Sequence, residues 1–267
     1  MDSLISKTKT PTTPPKPPKP PKPPKPPTLK ELFAHEESLV HPCLQHLRQA
    51  QPDAATALVV QELELSRGLV RADIALLADC LHGFEIKAGR DTLTRLPLQI
   101  ATYDEVFAYN WLITTPNHLK KAQTLLPAWW GILVPEFEVK EGLIADSELS
   151  AAALSGLQAA NAVLEGATPP PAVKDALMVL KPAQVNPMQE PHGLAKLLWR
   201  EELLSALKSL GLQKGNATLN KRKLCSKLID AMPLADLNEL VLSCLRSRMS
   251  WRAYPLVGCG GRPGYAL

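Results

Sequence analysis

Three short apolar runs separated by tight turns fill residues 57–88, and they narrow the folds open to this chain. ALVVQELEL (57–65), VRADIALL (70–77) and LHGFEIKA (81–88) read as strands, with a Ser-Arg-Gly turn after the first and a turn at Ala78–Asp79 after the second. Together they predict an antiparallel meander. A helix starting at Asp91 and running to about Tyr109 follows, with Pro97 an unfavourable interior residue. WLITT (111–115) and WGILVPE (130–136) are further strands, with a helix over Pro116–Leu125 between them. Upstream, TLKELFAHEESLVHPCLQHLRQ (28–49) reads as a helix with Thr28 as N-cap and Glu31 three residues on, kinked or divided at Pro42. The order helix, meander, helix, strand, helix, strand is an α/β layout with a mixed central sheet flanked by helices.

The ends differ in kind from this centre. Of 26 prolines, eleven fall between Pro11 and Pro27, interleaved with lysines. Such density fixes φ and removes backbone donors, so residues 1–28 form an extended arm. It would act as a solvated tail, a cationic spacer or a docking segment for a proline-reading partner. Residues 146–190 read as an alanine-rich helix (147–165) and a proline-broken linker. Residues 191–252 read as a small all-helical unit, made of 193–212, 221–232 and 234–248, and 253–267 as a flexible glycine-rich tail.

Charge follows the same division. Residues 1–30 carry seven lysines against Asp2, residues 31–191 eleven basic against twenty acidic groups, and residues 192–267 twelve basic against five acidic groups. An acidic centre between basic ends suits a metal-binding or catalytic core with separate anion-binding arms. No apolar run reaches the ~18 residues of a membrane span, and no apolar stretch follows the N-terminal lysines. Five scattered cysteines without a CxxC pair indicate neither a zinc ribbon nor a disulfide framework, and fit a reducing cytoplasm.

The chemistry concentrates on Asp73, Glu85 and Lys87. If Leu77 and Leu81 flank the tight turn, paired residue numbers sum to 158 and Asp73 stands opposite Glu85, with Cβ atoms roughly 4.5–5.5 Å apart. Glu85 and Lys87 leave one face of their strand, while Phe84 and Ile86 anchor the other. Two adjacent carboxylates call for a positive partner, and oxygen ligands select a hard ion such as magnesium, with manganese a substitute. A lysine beside them can orient water or steady charge on a phosphate. A plain surface ion pair between Glu85 and Lys87 is the competing reading.

The stretch RADIALLADCLHGFEIKAGRDTLTRLPLQIATY resembles the PD-(D/E)XK nuclease superfamily, in which a metal-binding Asp precedes a (D/E)-x-Lys element on the next strand. The resemblance implies Asp73 and Glu85 as metal ligands and Lys87 as the catalytic lysine. Gln99-x-x-x-Tyr103 resembles the helix motif of the RecB-like branch, at a spacing that puts both residues on one helix face. The wording around HGFEIKAGRDTLTRLPLQIATY and WWGILV is similar to an uncharacterised bacterial family assigned to that superfamily. The motif's proline is replaced by Ala72. The first-helix acid of the superfamily would be Glu36 or Glu37, with Glu64 a third option. Arg71, Arg90 and Arg95 lie near the motif and would either contact phosphates or be plain solvated surface. The implied fold is a restriction-endonuclease-like core over 29–145, and the implied activity magnesium-dependent hydrolysis of nucleic acid, DNA rather than RNA, in a bacterial or phage-related setting. Cutting of both strands would call for two active sites and hence a homodimer.

Toward the C-terminus, LLSALKSLGL, a polar loop and KRKLCSKLIDAM resemble the helix–loop–helix of SAP-like DNA-binding motifs. Lys221, Arg222, Lys223 and Lys227 on the second helix would meet phosphates, the competing reading being an amphipathic packing helix with a solvated basic face. His35, His41, Cys43 and His46 match no common zinc module and read as helix residues. Trp129 and Trp130 read as core rather than as a base-stacking platform. The chain holds no phosphate-loop motif and no Ser-His-Asp or Cys-His signature.

Overall fold

The computed structural model describes residues 35, 37–50, 57–137, 173–248 and 253–255. The proline-lysine arm, Thr28, Glu31, Glu36 and the alanine-rich 147–165 segment lie outside the described residues. Helix α1 (Glu37–Ala50) accommodates Pro42 in its interior. It is followed by strands β1 (Leu58–Leu65), β2 (Val70–Leu77) and β3 (Leu81–Lys87), helix α2 (Leu96–Asp104), β4 (Tyr109–Thr114), α3 (Pro116–Leu125) and β5 (Gly131–Phe137). Strand β6 (Val173–Lys181) comes next, then α4 (Pro191–Leu197), α5 (Arg200–Ser209), α6 (Lys221–Ile229), α7 (Leu234–Ser247) and β7 (Ala253–Pro255). The strands form one seven-stranded mixed sheet in the order β6-β5-β4-β3-β2-β1-β7. Helices cover it, an α/β architecture. No helix among the described residues is long and apolar enough to cross a membrane.

The meander forms as the turns dictate, with β1–β2 and β2–β3 antiparallel, while β3–β4 and β4–β5 are parallel. The β2–β3 register is Leu77↔Leu81 through Ile74↔Phe84, the pairing expected from the tight turn.

Four expectations need correction. Residues 173–181 are not linker: VKDALMVLK is β6, antiparallel to β5. The segment 253–267 is not wholly a loose tail, because Ala253–Pro255 pairs with β1. Asp91 does not cap α2. Its Oδ2 instead accepts the Ala88 N–H at 2.7 Å, closing the turn after β3, and the helix begins at Leu96. Pro97 therefore sits in the first turn, where a missing N–H costs nothing. The 193–212 amphipathic stretch is two helices, broken at Leu198 and Trp199, both of which are extended.

Two apolar clusters lie on the two faces of the sheet. One gathers Leu39, Cys43, Leu44 and Leu47 of α1 with Val59, Ile74, Leu76, Phe84 and Ile86. The other joins α2 (Leu96, Ile100, Tyr103) to α4–α7 through Leu194, Leu203, Leu224 and Val241, over Val60, Ala75 and Leu77. The C-terminal helices thus share a continuous core with the sheet. Gly193 permits this approach, since a Cβ there would overlap the Glu105 carbonyl. Asn186 Nδ2 adds bonds to the carbonyls of Asp104 and Phe107, both at 2.8 Å.

Strict strand alternation fails within the β1–β2 pair. Leu63 and Leu65 fall in Val60's cluster rather than Val59's. On β2, Val70 and Ala72 share a cluster with Ala75 and Leu77, while Ile74 and Leu76 face the other way. Both strands turn over at Glu62 and Asp73, the pair missing between Gln61↔Ile74 and Leu63↔Ala72. Glu62 has φ +56°, a left-handed conformation that a non-glycine residue adopts at a cost. Each strand spends one residue on the switch, so the register on either side is unchanged.

Candidate active site

Asp73 occupies this break in the sheet. The β2–β3 ladder ends at Ile74↔Phe84, and beyond it the Ile86 N–H turns to Asp73 Oδ2 at 2.7 Å. An amide that a continued ladder would give to the β2 backbone is given to a carboxylate, a stronger, charge-assisted bond. Phe84 and Ile86 pack in the α1-side cluster, so Glu85 and Lys87 leave β3 toward α2.

Glu85 is fully buried, with Lys87 and Gln99 only 9% and 7% exposed. Its Oε1 accepts from the Lys87 ammonium and from the Gln99 amide nitrogen. Its Oε2 accepts from the Tyr103 hydroxyl at 2.7 Å. Gln99 and Tyr103 reach the same carboxylate because positions i and i+4 share a helix face. Asp73, Glu85, Lys87, Gln99 and Tyr103 thus meet under α2. Burial pushes the Glu85 carboxyl above its usual range, against the opposing pull of Lys87, Tyr103 and Gln99. Burial, then the charges of Glu85 and Asp73, pushes the Tyr103 phenol well above its ordinary value, so it stays a neutral donor.

The end of β3 is fixed from outside. The Thr114 hydroxyl donates to the Lys87 carbonyl at 3.1 Å, Asn117 Nδ2 to Gly89 O at 3.2 Å, and His118 Nε2 to Ala88 O at 3.0 Å. These bonds hold the strand from which the lysine projects.

The donor set has the character a hard divalent cation requires: two carboxylates on neighbouring strands and an amide oxygen. The oxygen is Gln99 Oε1, buried and without a hydrogen-bond partner; with the amide nitrogen spent on Glu85, it remains an unmet acceptor. No group of three or more His, Cys, Asp and Glu side chains suited to a metal occurs among the described residues. Of the first-helix acids, Glu36 lies outside the described residues and Glu37 starts α1 with its side chain outside them. Glu64 is exposed on β1.

Among the zinc candidates, Cys43 is core, its thiol pushed well up by burial, and His35 is exposed. Trp130 is fully buried, as a core residue should be. Its Nε1 donates to Asp104 Oδ1 at 2.8 Å, which also accepts from Trp129 Nε1 at 3.1 Å and Asn110 Nδ2 at 2.8 Å. This acidic hub at the end of α2 gave no sequence signal.

The basic residues separate into groups. Arg90 and Arg95 are exposed near the site, and Arg222 and Lys223 on α6. Lys227 spends its ammonium on Leu212 O at 2.8 Å, Lys214 O at 3.3 Å and Asn216 Oδ1 at 2.7 Å, tying down the loop before α6. Arg71 and Lys221, far apart in sequence, line one cavity of about 450 Å³ between the β1–β2 turn and the C-terminal helices.

A protein-family model described as Bacteriophage P4 protein cII matches residues 31–154, less than half of the chain. No curated protein and no solved structure matches it.

Proposed function

We propose that the protein is a metal-dependent nuclease of the PD-(D/E)XK type, with a restriction-endonuclease-like core, cleaving phosphodiester bonds in nucleic acid, DNA by preference. The observation that carries this reading is the convergence of Asp73, Glu85 and Lys87 beneath a helix whose Gln99 and Tyr103 both grip Glu85. Asp73, Glu85 and the Gln99 amide oxygen would hold magnesium or manganese, with a first-helix acid as a further ligand. Bound there, the ion would lower the pKa of a coordinated water and draw charge from the phosphate.

The protein's own groups do the remaining work. Lys87 gives Glu85 Oε1 one N–H and the Ile86 carbonyl another at 3.3 Å. Its third donor is left to orient a water or to meet a phosphoryl oxygen. Gln99 and Tyr103 fix both oxygens of Glu85, so the carboxylate cannot rotate away from Asp73. The α6 cations and the lysine-proline arm would add sequence-independent affinity for phosphates. The match to the phage family fits a phage or mobile-element setting.

A second reading is a nucleic-acid-binding protein on the same fold without turnover. It is favoured by the complete burial of Glu85 and by its three protein donors. Purified protein incubated with supercoiled plasmid, linear duplex, single-stranded DNA and RNA separates the two. The nuclease reading expects cutting in magnesium or manganese and none in EDTA. Salt-sensitive binding without cutting on any substrate supports the second.

A further inference from the structure

The cavity between the β1–β2 turn and the C-terminal helices is lined by five cations and by two carboxylates, Glu62 and Glu64, and so carries a net positive charge. Arg67 and Arg71 come from the hairpin, Lys196 from α4, Lys221 from α6 and Arg248 from the end of α7. Three of the five have acidic partners: Arg71 with Glu62 at 2.9 Å, Lys196 with Glu105 at 3.2 Å, and Arg248 with Glu202 at 2.7 Å. Arg67 and Lys221 make no salt bridge among the described residues. The Lys221 ammonium donates instead to the Lys196 carbonyl at 2.9 Å. Burial pulls Lys221 below the usual lysine range, and the charges of Arg248 and Arg67 add to this against the opposing Cys225 and Glu202. Cations gathered this way repel one another, and an anion between them would relieve the repulsion.

Two further features define the kind of anion. Lys221 opens helix α6, whose cap Asn220 takes only the Lys223 N–H, at 3.0 Å; the helix start adds its partial positive charge to the same wall. Trp199, also lining the cavity, is 45% exposed. The guanidinium of Arg248 lies 4.2 Å from the centre of its ring. A rigid, partly exposed indole beside unpaired cations suits a ligand that carries both a phosphate and a flat ring. A volume of about 450 Å³ is in the range of small-ligand sites.

We propose that this cavity seats one nucleotide unit of a nucleic-acid strand, its phosphate on Arg67 and Lys221 and its base against Trp199. The relation to cleavage, though not the binding itself, rests on the nuclease reading. Glu62 lines the cavity and occupies the β1 position across from Asp73. The cavity and the Asp73 carboxylate are therefore carried by the same β1–β2 hairpin, the carboxylate itself turning to β3.

The test is fluorescence anisotropy of the full chain with a labelled single-stranded oligonucleotide in EDTA, over a range of salt. Arg67 has φ +62°, so Arg67→Gly removes the charge at a backbone position glycine favours. Combined with Lys221→Gln, it should weaken binding about tenfold or more and cut the slope of log affinity against log salt by roughly 1. Trp199→Ala should cost about tenfold, and Trp199→Phe should recover most of it, since a ring face remains. Lys208→Gln, outside the cavity, should change binding less than twofold, about the scale of a single solvated charge. Oligonucleotides with a 5′-phosphate or a 5′-hydroxyl distinguish a strand end from an internal phosphate, both within the proposal. Wild-type affinity and salt slope in the Arg67→Gly/Lys221→Gln protein would overturn it, as would displacement of the oligonucleotide by polyglutamate at equal charge concentration. Binding in EDTA is independent of turnover, so a protein that binds through this cavity but never cuts would sink the nuclease reading alone.

Discussion

One hairpin serves two electrostatic environments of opposite character. On its β3 side, Asp73 and Glu85 meet with Lys87 in a space closed by α2, where both Glu85 oxygens and Asp73 Oδ2 accept hydrogen bonds. On its turn side, Arg67 and Arg71 face Lys196 and Lys221 across a cavity of about 450 Å³. Burial makes the first a place where charges are few and each is individually held, because an unpaired charge there is costly. Solvent makes the second tolerant of unpaired cations, which attract ligands over a distance but fix little by themselves. The two proposals divide along the same line, the cavity gathering a strand and the buried carboxylates acting on it.

Breaking the buried side should have the larger consequences. Asp73→Ala removes a proposed metal ligand and the acceptor of the Ile86 N–H, and should lower cleavage by about 10³-fold or more, measured in single turnover. Acid should act on the other face of β3, where His82 lies with Phe84 and Ile86. Burial lowers the His82 pKa from 6.5 to about 4, despite the nearby Asp79 charge. Unfolded chains then bind the extra proton between those values, so stability is full above pH 6.5 and falls as the pH drops toward 4, by about 3 kcal/mol. His82→Phe should flatten that part of a melting-temperature profile. Tyr103→Phe deletes one of Glu85's donors and should cost roughly 1–3 kcal/mol in denaturant unfolding. The cavity side should be forgiving by comparison. Arg71→Ala breaks a half-exposed pair with Glu62 and should change stability by less than about 1 kcal/mol.

How much of this was legible in the sequence follows the range of the interactions. The tight turn at Ala78–Asp79 set the β2–β3 register, and the Gln99/Tyr103 spacing placed both side chains on one face; both are local rules. Strand β6 was missed because VKDALMVLK lies among prolines and takes its identity from β5, a distant partner. Tyr254 and its neighbours form β7 only because the β1 edge is there to pair with. The overturning of β1 and β2 at Glu62 and Asp73 was invisible, since a left-handed glutamate has no sequence signature. That switch nonetheless decides where the ladder opens for the Asp73 carboxylate. The cavity combines Arg67, Trp199 and Lys221 from segments that meet only when α4–α7 dock on the sheet.

Single-turnover cleavage by Lys87→Ala, set beside its binding of the same substrate, tests the central claim most directly. The account predicts that the variant binds DNA within a few-fold of wild type and loses cleavage by about 10³-fold, with wild-type cutting abolished by EDTA. Equal cutting by the variant, or cutting that persists in EDTA, would contradict it.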